Sequence, residues 1–312
     1  MTDAKSPRIA ALVLTYNAPQ ALARCVDAIA AQTSPPDEIV VVDNASSPPV
    51  TAAMVSPGDI PLRIVRSEAN LGPAGGWAIA LRDFLDAGAT HAWLMDDDIV
   101  PEPECLAALW SALDEQPSSP FVVPVSIQPD GSVGRWGSWC GFLIGRDIVE
   151  TVGVPMAELF WWAEDTEYCH WRIPQAGFPL RFIDKAVVRH DAIRQVGDPP
   201  AWKYYYEARN MLYLHWHIMH RVGWLPRNFV RLTSRAVIRQ KRGRLHCLAA
   251  IGRGVFDGAF GRLGIRYPIA ALHERDLDGK SSGAAPGTGG GTTGAAAEPD
   301  LGDPKSGSAS VA

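Results

Sequence analysis

The sequence predicts an α/β fold in which a mostly parallel sheet carries helices on both faces. Three observations carry that prediction. Short, fully apolar runs read as strands buried on both faces. The segments between them repeat their apolar residues at helical spacing. The runs Ile9–Leu14, Glu38–Val42 and Ala92–Met95 are each followed at once by a polar residue, Thr15, Asp43 and Asp96. Sheets of this kind bind ligands at the carboxyl ends of their strands, where these three residues would sit.

The elements follow in order. Ile9–Leu14 is the first expected strand. Asn17 and Pro19 mark a helix start, because proline suits the first helical turn, and Leu22, Cys25, Val26 and Ile29 then form one apolar stripe. Glu38–Val42 and Leu62–Val65 are the second and third strands. A helix opens at about Gly75 and ends near Gly88, and Ala92–Met95 is the fourth strand. Phe121–Ile127 and Cys140–Gly145 are strands separated by the turn residues Pro129, Asp130 and Gly131. Thr166–Ala176 predicts a short helix, with Pro174 shortening or kinking it. Ala186–His190 is the last strand, and the pattern from Tyr204 to about Phe260 is helical. This divides the chain into an α/β domain at 1–220, a basic helical segment at 221–275 and a tail at 276–312. The tail is Gly, Ala, Ser, Thr and Pro without periodicity, a composition too poor in apolar surface to fold.

Hydrophobic residues make up 47 % and charged residues 20 % of the 312 positions, the mix of a soluble globular chain able to bury one generous core. A net charge of −5 gives no reason to expect nucleic acid as a partner. The five cysteines, Cys25, Cys105, Cys140, Cys169 and Cys247, are odd in number and never in a CxxC. That argues for free thiols in a reducing compartment. The polar N-terminus does not read as a signal peptide, and no run is long enough to span a bilayer, so a cytoplasmic location is expected.

Asp96-Asp97-Asp98 is the strongest chemical signal. Adjacent carboxylates repel, and a hard divalent cation, Mn²⁺ or Mg²⁺, would hold Asp96 and Asp98 while leaving positions for phosphate oxygens. The alternative is a solvated acidic turn before the helix near Pro103. Asp43-Asn44 offers a carboxylate and an amide for a base or ribose, although the pair is also common in turns. The glycines of Asn70-Leu-Gly-Pro-Ala-Gly-Gly76 would let backbone approach a ligand. Asp165, just before a helix, reads either as an N-cap or as a general base for an attacking hydroxyl. His190 ends a strand, and a neutral imidazole there could complete a cation site begun by Asp96 and Asp98. Eleven tryptophans are many for this length, and Trp136, Trp139, Trp161, Trp162 and Trp171 cluster. They read as core packing or as flat platforms for sugar rings. His215, His217 and His220 spread around a helix and do not read as a metal cluster.

Taken together, Val13-Leu-Thr-Tyr-Asn17, Val41-Val-Asp-Asn-Ala-Ser46, Asn70–Gly76, Leu94-Met-Asp-Asp-Asp98, Ala163-Glu-Asp-Thr-Glu-Tyr168, His190 and Tyr206-Glu-Ala-Arg-Asn210 resemble the family 2 glycosyltransferases of GT-A fold. The similar branch holds bacterial rhamnosyltransferases and galactofuranosyltransferases of cell-wall and polysaccharide assembly. The resemblance implies an inverting, metal-dependent transfer from a nucleotide diphosphate sugar, a UDP- or dTDP-sugar, to a glycan or lipid-linked glycan. It implies Asp96, Asp98 and His190 on Mn²⁺ or Mg²⁺, and Asp165 as base. It also implies Thr15, Asn17, Asp43, Asn70, Gly75 and Asp97 near the nucleotide, and Trp139, Trp162 and Glu164 near the acceptor. A glycoside hydrolase would need no nucleotide pocket. A nucleotidyltransferase would carry a glycine-rich loop with Arg or Lys in its first turn, where this chain has Thr15-Tyr-Asn-Ala-Pro. From Arg221 to Arg266 eleven Lys or Arg stand against the single acid Asp257, with apolar residues such as Trp224, Leu225, Phe229, Leu232, Val237 and Ile238 interleaved. This pattern suits an anionic membrane surface at the inner face of the plasma membrane. The alternative is a basic face packed on the acidic domain or left in water.

Overall fold

The computed structural model describes residues 7–117, 120–135, 137–191 and 198–266. Trp136 and the tail at 276–312 lie outside the described residues. The strands are β1 (Ile9–Thr15), β2 (Glu38–Asp43), β3 (Leu62–Arg66), β4 (His91–Asp96), β5 (Ile99–Pro101), β6 (Phe121–Ile127), β7 (Val133–Gly134), β8 (Cys140–Gly145) and β9 (Arg181–His190). They form one sheet in the order β3-β2-β1-β4-β8-β6-β9-β5, with β7 beside β6. The β3-β2-β1-β4 half is parallel, whereas β8 runs antiparallel to both β4 and β6.

The helices are α1 (Pro19–Ala30), α2 (Gly72–Ala87), α3 (Cys105–Glu115), α4 (Arg146–Val152), α5 (Glu164–Glu167), α6 (Ile173–Gln175), α7 (Ala201–Tyr213), α8 (Leu225–Ser234) and α9 (Arg244–Ala259). Alternation along the strands sends side chains to two apolar layers. From β1 and β4, Leu12, Leu14 and Leu94 join Trp77 and Phe84 of α2 on one face. Val13, Trp93 and Met95 join Val26 of α1 and Leu109 of α3 on the other. Both faces of the parallel half are therefore covered, which is why its strands read as unbroken apolar runs. All five cysteines are free and buried. Among the described residues no helix is long and apolar enough to cross a membrane.

Several elements differ from expectation. α2 begins at Gly72 rather than Gly75, and α4 and the first half of β9 carry charged residues that hid their pattern. The helix after Ala163 is continuous but widens into a π-helical turn over Tyr168–Arg172. Pro174 cannot donate to a carbonyl four residues back, so the chain opens the wider turn just upstream. Pro174 then falls in the first turn of α6. The C-terminal helical run is likewise divided, with π-helical turns at Leu214–Ile218 and Arg235–Arg239.

α9 lies close against α7. A Cβ on Gly254 would run into the Tyr205 carbonyl, and one on Gly258 into that of Arg209. Around this contact Tyr204, Ala208, Leu232, Ala236, Cys247 and Ile251 form a separate apolar cluster.

Candidate active site

The parallel register sets three carboxyl ends side by side, with Thr15 opposite Asp43 and Leu14 opposite Asp96. After Asp96 the chain turns, and the Asp97 N–H bonds the Leu14 carbonyl at 3.1 Å. The Thr15 hydroxyl donates to Asp97 at 2.5 Å. Asp97 thus ties the acidic turn to β1, and burial pushes its pKa up to about 7 against the relief from Thr15. Burial raises Asp96 further, followed by the charges of Asp98, Asp97, Glu164 and Asp165. The carboxylates at the end of β4 and the start of α5 are therefore near enough to act on one another.

Asp98 meets His190 across the β5–β9 pairing, with Nε2 3.3 Å from Oδ2. His190 Nδ1 lies 3.3 Å from Gln128 Oε1. With its Nδ1 proton on Gln128, a neutral imidazole would turn an acceptor Nε2 toward the Asp98 carboxylate. Two such acceptors repel unless a proton or a cation stands between them. Among the described residues no group of three or more His, Cys, Asp or Glu side chains is placed to hold a metal ion, so Asp96 does not join Asp98 and His190 in the expected set of three. An open pair beside further carboxylates still fits Mn²⁺ or Mg²⁺, since such ions take one or two carboxylates and complete their shell with substrate phosphates.

Asp165 lies in the first turn of α5, where its Oδ1 accepts the Thr166 N–H at 2.6 Å and faces the Thr166 hydroxyl at 3.3 Å. Among the described residues no partner occupies its Oδ2. Glu164 beside it is buried, and its Oε2 has no hydrogen-bond partner among the described residues. Burial and then the charge of Asp165 push Glu164 up to about 8.

The loop before α5, Phe160–Ala163, holds Phe160, Trp162 and Ala163 at positive φ. Such backbone persists only where its surroundings over-determine it. Here Asn210 Nδ2 reaches the carbonyls of Leu159, Trp161 and Trp162 at 2.9, 2.8 and 2.7 Å. The neighbouring Arg209 donates to the Leu159 carbonyl at 2.8 Å. The Arg209-Asn210 pair was legible as part of a motif, but its task was not, since it acts on a loop fifty residues away. The loop presents Trp161 and Trp162, tilted at 5.3 Å, and Trp161 meets Trp202 of α7 edge-on at 5.1 Å. Lys203 Nζ stands 5.5 Å from both the Trp161 and Trp202 rings. Trp202 and Lys203 had no sequence signal of their own.

One expected role is corrected. Trp139 offers no open face to a sugar, because it is 3 % exposed and stacks with Trp77 at 4.6 Å and Tyr168 at 6.0 Å. The glycines around Gly75 lie tight against protein. A Cβ on Gly72 would strike the Phe160 carbonyl, one on Gly75 the Leu71 side chain and one on Gly76 the Leu14 side chain. They let α2 sit close under β1 and the aromatic loop.

The remaining expected nucleotide residues shape one loop cluster. Asp43 is buried and accepts from the Ser46 and Val50 N–H groups and from Arg66. Burial would raise its pKa, yet hydrogen bonds from Ser46 and Val50 together with the Arg66 charge hold it below the usual range. Asn17 bridges to the same loop, its Oδ1 accepting the Ser47 N–H at 2.7 Å. Asn70 Oδ1 accepts the Gly72 N–H at 2.8 Å and meets Asn44 Nδ2 at 3.2 Å.

This is the arrangement of a GT-A glycosyltransferase: a parallel half-sheet ending in a loop cradle, an acidic turn, and a second carboxylate facing it. The chain matches the family described as Glycosyl transferase family 2 over residues 11–197 and belongs to that family. It is 28 % identical over 213 residues to the galactofuranosyltransferase GlfT1 of Mycolicibacterium smegmatis, covering 55 % of this chain and 67 % of that one. To the GlfT1 of Mycobacterium tuberculosis it is 40 % identical over 90 residues, 28 % of this chain and 29 % of the relative. Among solved structures, S. aureus TarS 1-349 superposes with a TM-score of 0.54 at 16 % identity, over 87 % of this chain and 88 % of that one. The mannosyltransferase PcManGT from Pyrobaculum calidifontis, in complex with GDP-Man and Mn²⁺, gives 0.51 at 17 % identity, over 88 % and 81 %. These two likenesses establish the fold.

Proposed function

We propose that this glycosyltransferase is inverting and metal-dependent, moving galactofuranose or rhamnose from a UDP- or dTDP-sugar to a hydroxyl of a lipid-linked cell-wall glycan. The observation that carries the reading is the acidic turn after β4, where Asp97 is tied to Thr15 at 2.5 Å and Asp98 lies 3.3 Å from His190, with Glu164 and Asp165 of α5 near enough to act on Asp96. The sugar preference is supported by the GlfT1 relatives, and the metal by the Mn²⁺ named with PcManGT.

Asp98 and His190 would hold the cation, with Asp96 behind them. When bound, it neutralises the charge that builds on the leaving diphosphate. Asp97 and Thr15 fix the acidic turn beneath the donor, while Asp43, Asn17 and Asn70 hold the cradle for the nucleoside. Asp165 takes the acceptor hydroxyl proton on its Oδ2 as the acceptor oxygen bonds the anomeric carbon. The bond from that carbon to the diphosphate oxygen breaks on the opposite side, so one displacement inverts the configuration. Water is kept from the carbon by the aromatic wall of Trp161, Trp162 and Trp202, on which an acceptor ring can stack. The enzyme works peripherally at the inner face of the plasma membrane, where a lipid-linked acceptor would be found.

The test is a screen of purified protein against nucleotide sugars with Mn²⁺ and a glycan acceptor, reading released nucleoside diphosphate. Acceptor-dependent release from a UDP- or dTDP-sugar supports the reading. Absence of release from every donor contradicts it.

A further inference from the structure

We infer that the outer face of α8 and the turn after it, from Trp224 to Leu245, is the surface that seats this protein on an anionic lipid leaflet. This rests on the peripheral location proposed above and names the residues that would make the contact. α8 and its π-helical turn bury Leu232 and Ala236 against α7 and α9. The opposite side does not lose its apolar character. Phe229, Val230, Val237 and Ile238, with Thr233 and Ser234, line an open groove of about 460 Å³. Val230 is 67 % and Ile238 75 % exposed, an unusual placement for branched apolar side chains that lie about two turns apart on a single face.

The charge beside this groove selects the occupant. Arg227, Arg239, Lys241 and Arg242 are exposed around it. The acids nearby are engaged inward. Asp198 accepts the backbone N–H groups of Lys241 and Arg242, each at 2.7 Å, and Glu207 is buried against Arg235. Apolar tips flanked by cations are what an interfacial helix presents to lipid, the tips entering the acyl boundary and the cations meeting headgroup phosphates. Trp224, half exposed at the start of α8, suits the same depth. A second copy of the chain would bring like charges together at this face, so self-association is disfavoured.

The experiment sediments the full chain with vesicles of phosphatidylcholine alone or with phosphatidylglycerol added, across a salt series. Binding to the anionic vesicles only, weakening as salt rises, is expected. The triple variant Arg239→Ala, Lys241→Ala, Arg242→Ala should bind about a hundredfold more weakly, at about fivefold per charge. Val237→Ser with Ile238→Ser should also weaken binding, and these exposed positions should leave the circular dichroism spectrum unchanged. Equal binding to both vesicles, binding to neither, or a concentration-dependent dimer without vesicle binding would overturn the inference. Turnover of a water-soluble acceptor is measured in parallel without vesicles. Its loss alongside intact vesicle binding would strike the proposed reaction and leave the docking surface standing.

Discussion

Two ends of the molecule handle charge in opposite ways. At the carboxyl edge of β4, carboxylates are gathered, half buried and forced upward in pKa by burial and by one another. Along α8 and α9, cations are spread over the surface, and the few acids nearby are turned inward. The overall charge of −5 averages over this division and conceals it. The difference teaches that carboxylates gathered and buried together resist ionisation, a conflict that either protons or a bound cation relieves. The basic end meets no such conflict, because water solvates its side chains.

The comparison breaks most sharply if the acidic end works without a cation. Asp98→Ala should abolish transfer and weaken donor binding, and EDTA should do the same reversibly to the wild type. Retained activity in either case would remove the cation from the account. Next in size, Asp165→Asn keeps shape and hydrogen bonding but takes no proton, so turnover should fall by about two to four orders of magnitude with donor affinity little changed. Near-normal turnover would make Asp165 a helix-start residue only.

Legibility followed the same division. The strands of the parallel half, the acidic turn and Asp165 could be read because buried runs, carboxyl-end placement and local carboxylate density are properties of short segments. The loop Phe160–Ala163 could not, since its positive φ values are held by Asn210 from a distant helix. Trp139 misled for a related reason. A tryptophan in a core stack and one on a sugar platform look alike in sequence, and only its stacking with Trp77 and Tyr168 tells them apart. The glycines near Gly75 signalled close approach correctly, and the groups that lie tight against them are the protein's own backbone and side chains.

Asn210→Ala strips a donor from three carbonyls and should cost about 1–3 kcal/mol of stability. It should also raise acceptor KM more than donor KM, because the loop carrying Trp161 and Trp162 loosens. An unchanged melting temperature and an unchanged acceptor KM would detach Asn210 from the loop. A smaller effect sharpens the electrostatics. The Glu164 carboxyl is raised in the folded state, so between about pH 4 and pH 8 the unfolded chain holds fewer protons there than the folded one. Its contribution to stability is therefore lost as pH rises through that window. Glu164→Gln should flatten that part of the decline in melting temperature, and an identical slope in both proteins would refute the assignment.

The central claim is that the carboxylates at the end of β4 are completed by a divalent cation that also carries the donor diphosphate. Calorimetric titration of UDP and of dTDP into the wild-type protein, with Mn²⁺ and then with EDTA, tests it most directly. The account predicts tight binding of one of these nucleotides with Mn²⁺, little or none in EDTA, and little in Asp98→Ala under either condition. Equal affinity with and without the metal would contradict it.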